Sequence, residues 1–106
     1  MNDVLANLAA IIKARRTAQA DASYTRQLLD AGSERCARKF GEEAIETVIA
    51  GVSQSKDELS SEAADVLYHL LVLLESRDIE LADVLAKLEQ RTAKSGIAEK
   101  TSRSKS

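Results

Sequence analysis

Apolar residues recur at helical spacing along almost the whole chain. Val4, Leu5, Leu8, Ile11 and Ile12 mark one face of a first helix, expected over Asn2 to Ala20. Asn2 and Asp3 are its candidate caps. Lys13, Arg15 and Arg16 place positive charge towards its C-terminal end, where the helix dipole favours it. Asp21, Ala22 and Ser23 break the pattern. A short second helix then runs from Tyr24 to Ala31, capped by Ser23 and stopped by Gly32. Its Leu28 and Leu29 are expected to pack on the elements that follow. Ser33 is the expected cap of a third helix, which reaches about Val52 with a core face of Cys36, Phe40, Ala44, Ile45, Val48 and Ile49. Gly51, Ser53, Gln54 and Ser55 interrupt it. Ser55 with Glu58 three residues on is a capping box, and opens a fourth helix that continues to about Ser76. A fifth helix is expected over about Glu80 to Ala93, turning Leu81, Val84, Leu85 and Leu88 inward. The domain reading is a folded unit over residues 1–95 and a basic, mobile tail over 96–106.

These elements predict an all-α protein, an antiparallel bundle of about five helices. From Val66 to Leu74 the fourth helix is apolar almost all round, with His69 set among aliphatic residues. A helix of that kind has to be covered on every side. One layer of helices from so short a chain leaves it short of cover, which predicts a homodimer formed through this helix.

Composition narrows the class. The chain has 106 residues, no Pro and 4 Gly, and is rich in Ala, Leu, Glu, Lys and Arg, as one helical domain would be. A net charge of -2 gives no reason to expect a general nucleic-acid binder. Cys36, the single cysteine, has no internal partner for a disulfide, which suits the cytoplasm. The longest apolar run, Leu70 to Leu74, is far too short to span a membrane, and no apolar N-terminal segment suggests a signal peptide.

The candidate chemistry lies between Lys39 and Leu74. Glu43 and Glu46 are three residues apart, as are Glu62 and Asp65, so each pair shares a helix face. If the break between them is a tight turn, the third and fourth helices form an antiparallel hairpin. Positions 43 and 65, and positions 46 and 62, are both centred on 54, so each acid faces another across the seam. The nearer pair then lies roughly 12 Å from the turn, at about 1.5 Å per residue. Such an acidic seam calls for a positive charge within it. Its donors are all oxygens, which suit Mg²⁺ or Mn²⁺. A di-iron site would need a Glu-x-x-His motif, and neither pair supplies one. His69, one turn beyond Asp65, reads as a core histidine with one hydrogen-bond partner. Cys36 has no basic partner to activate it as a nucleophile. Gly41 reads equally as a small residue in a helix crossing or as the approach of a ligand. A carboxylate cage with Lys and Arg nearby suits phosphate chemistry, and no GxxxxGK[ST] loop places the chain among P-loop enzymes.

Glu42-Glu43-x-x-Glu46, 15 residues, then Glu62-x-x-Asp65 resembles the all-α nucleoside triphosphate pyrophosphohydrolases of the MazG-like superfamily. SYTRQLLDAG at Ser23 to Gly32, EAADVLYHLLVLL at Glu62 to Leu74 and LEQRTAKSGIAEK at Leu88 to Lys100 narrow this resemblance to the phosphoribosyl-ATP pyrophosphohydrolase family of histidine biosynthesis. The resemblance covers nearly the whole chain. It implies hydrolysis of phosphoribosyl-ATP to phosphoribosyl-AMP and pyrophosphate, with Mg²⁺ held by Glu43, Glu46, Glu62 and Asp65. It implies catalytic roles for Glu42, Glu43 and Glu46, and substrate contacts from Lys39, Arg91, Lys94 and Lys100. A related enzyme acting on other nucleoside triphosphates is the alternative. No companion cyclohydrolase domain is expected within this chain.

Overall fold

The computed structural model describes residues 3–19 and 23–93. Five α-helices account for most of them: α1, Val4–Ala14; α2, Tyr24–Ala31; α3, Ser33–Ser53; α4, Lys56–Ser76; and α5, Leu81–Ala93. The described residues form no strand, and the all-α expectation holds.

Local capping chemistry sets two of these elements. The Ser23 hydroxyl accepts from the Arg26 amide and starts α2. Gly32 ends α2 with φ 102°, a conformation that costs glycine little. Ser55 accepts from the Glu58 amide while the Glu58 carboxylate accepts from the Ser55 amide, and this closed box starts α4. Ser55→Ala is expected to cost about 1 kcal/mol, which a thermal melt of the variant against the parent will read.

Two expected boundaries are corrected. The first helix does not reach Ala20, since α1 stops at Ala14 and a 3-10 turn follows over Arg15–Thr17. The chain is drawn off by long-range contacts: Arg26 of α2 donates to the Ala18 carbonyl, and Arg16 reaches across to α4. The Asp3 side chain makes no capping hydrogen bond, and Asn2, Asp21 and Ala22 lie outside the described residues. Ser33 is not the cap of α3. The Gly32 carbonyl already accepts the first helical bond, from the Cys36 amide at 3.1 Å, so Ser33 is the first helical residue.

The core forms where α1, α2 and α3 meet the C-terminal half of α4. Ile12, Leu28, Cys36, Leu71 and Val72 are buried there, with Leu8, Ala9, Leu29, Tyr68 and Leu74 packed around them. The Val66 to Leu74 segment is therefore covered largely within one chain, because α4 is central, although Leu67 stays 44% exposed. The opposite outcome appears on α3. Its seam with α4 is lined by Cys36, Ala44, Thr47 and Ala50, all buried or half-buried. Ile45, Val48 and Ile49 are not core residues of this chain: they are exposed, Ile45 by 63% and Val48 by 64%, on a stripe rotated away from that seam. Leu81 and Val84 of α5 turn partly inward as expected, whereas Leu85 and Leu88 are exposed.

The corner between α4 and α5 is pinned from α1. Arg16 donates to the Glu75 carboxylate and carbonyl and lies 3.0 Å from Asp78, and Lys13 meets Glu80 at 2.5 Å. Asp78 takes φ 59°, and its amide and that of Ile79 bond back to the carbonyls of Glu75 and Leu74, closing the helix end.

Candidate cation and phosphate site

The hairpin register follows from the sequence arithmetic. Thr47 Oγ1 lies 2.8 Å from the Glu43 carbonyl oxygen on its own helix and 3.2 Å from that of Glu62 on α4. Small residues on α3, Ala44, Thr47 and Ala50, let the backbones come this close, while a Cβ on Gly51 would make an ordinary 3.7 Å contact with Leu59. The half-buried Glu43 is thereby carried to the seam at the height of Asp65.

Glu43, Glu62 and Asp65 each bring a carboxylate oxygen into one group, all within 4.8 Å of one another. Glu46 lies beside Glu62 and is not one of the three. Partial burial first, then the adjoining Glu46 carboxyl and the charges of Glu43 and Asp65, hold the Glu62 carboxyl above its ordinary value. The donor set is oxygen only, the distances suit one small ion, and the negative charge is otherwise unbalanced at the seam. These residues fit Mg²⁺ or Mn²⁺.

Lys39 sits one turn before Glu43. Its ammonium is 3.2 Å from Glu42 rather than on Glu43. The Glu42 hydrogen bond, then the nearby Tyr24 phenol and the charges of Glu42 and Glu43, raise its affinity for a proton. Glu42 is exposed, pairs with Lys39 and is not one of the group of three. A Cβ on Gly41 would meet nothing within 4 Å, so no helix crossing demands glycine there. Arg91 is exposed on the last turn of α5 and makes no hydrogen bond or ion pair with a described residue. Lys94 and Lys100 lie outside the described residues, as does the tail over 96–106.

His69 is buried as expected of a core histidine, and its ring is engaged on both nitrogens. Nδ1 lies 2.9 Å from the Asp65 carbonyl and Nε2 lies 3.4 Å from the Tyr24 hydroxyl. Sequence reasoning missed Tyr24. Burial pushes the Cys36 thiol up, and the thiol donates to the Leu28 carbonyl, the reverse of an activated nucleophile. A mostly apolar cavity of about 300 Å³ lies at the other end of α4, lined by Ala9, Leu71, Leu74 and Leu81. Its two carboxylates, Glu75 and Glu80, are already paired with Arg16 and Lys13, so they do not form a cluster for a cation.

Fold and site together define a class: all-helical proteins in which a tight antiparallel helix pair carries a carboxylate cluster for a hard cation. Comparison with known proteins gives the particular family. Residues 5–92 match the family model for phosphoribosyl-ATP pyrophosphohydrolase, and the chain belongs to that family of enzymes. It is 58% identical to the phosphoribosyl-ATP pyrophosphatase of Dinoroseobacter shibae over 94% of this chain and 98% of the relative. It is 55% identical to that of Ruegeria pomeroyi over 96% and 97%, and 52% identical to that of Agrobacterium fabrum over 93% and 92%.

Proposed function

We propose that this chain hydrolyses phosphoribosyl-ATP to phosphoribosyl-AMP and pyrophosphate, with Mg²⁺ as its cofactor and Mn²⁺ as a substitute, in the second step of histidine biosynthesis. The observation that carries this reading is the meeting of Glu43, Glu62 and Asp65 across one helix seam, in a chain of this family. When bound there, the cation would neutralise phosphate oxygens and ease departure of pyrophosphate. The protein's own residues do the rest. Glu43, Glu62 and Asp65 hold the cation. Glu46, beside Glu62 but outside that group, orients the attacking water and takes up its proton. Water supplies the new oxygen as the bond between the α- and β-phosphates breaks. Glu42 holds the Lys39 ammonium, which contacts a phosphate oxygen. Arg91, Lys94 and Lys100 are proposed to close over the substrate.

Assay of purified protein on phosphoribosyl-ATP beside the common nucleoside triphosphates tests the substrate, with rescue of a histidine auxotroph as the cellular arm. Faster turnover of an ordinary nucleoside triphosphate would replace this reading with the superfamily alternative.

The exposed stripe of Ile45, Val48, Ile49 and Val52 supports a homodimer, since contiguous apolar surface of this kind marks an interaction site. No described helix is long and apolar enough to cross a membrane, and the cytoplasm is the proposed location. Val48→Asp is expected to give a folded monomer at micromolar concentration in sedimentation velocity, where the parent sediments as a dimer.

A further inference from the structure

Beyond the two acidic layers of the hairpin lies a third layer, in which the proposed chemistry gives Lys39 a role and leaves His69 and Tyr24 without one. Positions 39 and 69 share the centre at 54 that relates 43 to 65, so Lys39 and His69 stand opposite each other one turn from the acids. That turn is a rise of roughly 6 Å. Tyr24 enters this layer from α2.

Two contacts fix Tyr24, one with His69 and one with Tyr68, and both neighbours are themselves anchored. The Asp65 carbonyl can only accept, so the Nδ1 of His69 at 2.9 Å must carry the proton. Nε2 is then an acceptor, and the Tyr24 hydroxyl donates to it at 3.4 Å. The Tyr24 ring lies near-parallel to Tyr68, 6.5 Å away at 22°, and Tyr68 in turn meets His69 edge-on at 4.9 Å. Tyr68 is tied by its hydroxyl to Thr25, the residue after Tyr24. The ring is therefore held at its hydroxyl end and supported beside it, yet it remains 50% exposed. The ring face is thus held in place and open to a ligand. Its neighbour Lys39 is the residue proposed to touch phosphate.

We infer that Tyr24 is a base-binding residue, whose exposed ring face stacks on the purine of the nucleotide while His69 holds the ring in place. The inference rests on the proposed hydrolase reading for the identity of the nucleotide. The spacing agrees with it: the purine hangs from the α-phosphate through one ribose, and Tyr24 stands about one helical turn beyond the acids that face the triphosphate. Stacking tolerates any base, so Tyr24 supplies affinity, and discrimination among bases lies elsewhere.

The test is steady-state kinetics on Tyr24→Phe, Tyr24→Leu and Tyr24→Ala, with Mg²⁺ and whichever nucleotide the parent hydrolyses fastest. Base–aromatic stacking corresponds to a roughly tenfold or larger change in affinity. Tyr24→Leu and Tyr24→Ala are expected to raise KM by about that factor with kcat within about threefold of the parent, and Tyr24→Phe to keep KM within about threefold. Inorganic triphosphate, which has no base, should inhibit the parent and Tyr24→Leu equally. An unchanged KM in Tyr24→Leu overturns the inference, as does a Phe variant as impaired as the Leu variant. Tyr24→Leu keeps apolar bulk, so it stands in if the Ala variant fails to fold. A parent that ignores phosphoribosyl-ATP but hydrolyses another nucleotide would sink the substrate assignment alone, and the Tyr24 series would be read on that nucleotide.

Discussion

Asp65→Asn is expected to reduce turnover about a thousandfold or more, because a bound divalent cation contributes several kcal/mol to the transition state and each 1.4 kcal/mol is a factor of ten. Asp65 is one of three carboxylates meeting within 4.8 Å, and the amide keeps its shape while losing its charge. The fold should survive, since the Asp65 side chain makes no hydrogen bond to a described residue. The metal-free protein should in fact melt at the same temperature or higher. The reason lies in Glu62, whose carboxyl is held above its ordinary value by partial burial, by Glu46 and by the charges of Glu43 and Asp65. A carboxyl with a raised value in the folded state opposes folding only when ionised. Its penalty is absent below the unfolded value, and appears as pH rises through the folded value. The metal-free parent is therefore expected to lose stability across that window, and Glu62→Gln to lose less. Mg²⁺ should raise the melting temperature of the parent by mass action and leave that of Asp65→Asn nearly unchanged. Near-parental turnover by Asp65→Asn would remove Asp65 from the cation site.

The largest effect on stability is expected from Ile12→Ala. Ile12 is 1% exposed and is the one fully buried residue of α1. The remaining hold of α1 on the bundle is made by half-buried Leu8 and Ala9 and by the exposed pairs of Lys13 and Arg16. Truncating such an isoleucine costs about 2–5 kcal/mol. In a domain of this size, each kcal/mol lowers the melting temperature by about 4–8 °C. A fall of at least about 10 °C is expected on those grounds, with Ile12→Val losing about 1 kcal/mol. A melt of Ile12→Ala within a degree or two of the parent would mean that α1 does not depend on this contact.

What could be read from the sequence divides along the range of the forces involved. The limits of α2 and α4 were legible because Ser23, Gly32, Ser55 and Glu58 act on amides within three or four residues. The acidic seam was legible for a related reason: one short connection fixes the register of its two helices. The end of α1 was not, because Arg26 and Glu75, which pull the chain out of helix there, are distant in sequence. The apolar residues of α3 were visible, but their assignment to the core was not safe. A helix with apolar residues on two sides does not say which side its own chain will cover, and small Ala44, Thr47 and Ala50 took the seam that Ile45 and Val48 were expected to fill. Glu46 lies outside the group of three although it has the same three-residue spacing from Glu43 as Asp65 has from Glu62, so spacing along one helix did not decide which acids meet. Tyr24 lies in a stretch that carried the family resemblance, but its place in the site was not legible, because that place depends on the ring of His69, far along the chain.

The nearness in sequence of the proposed cation ligands bears on how the protein assembles. All of them lie on two helices joined by a connection of a few residues, so bringing them together closes a short loop and costs little chain entropy. Local contacts of this kind form early in folding. Like charges then crowd together before the surrounding helices have docked, and a divalent ion present during refolding would speed the reaction as well as steady its product.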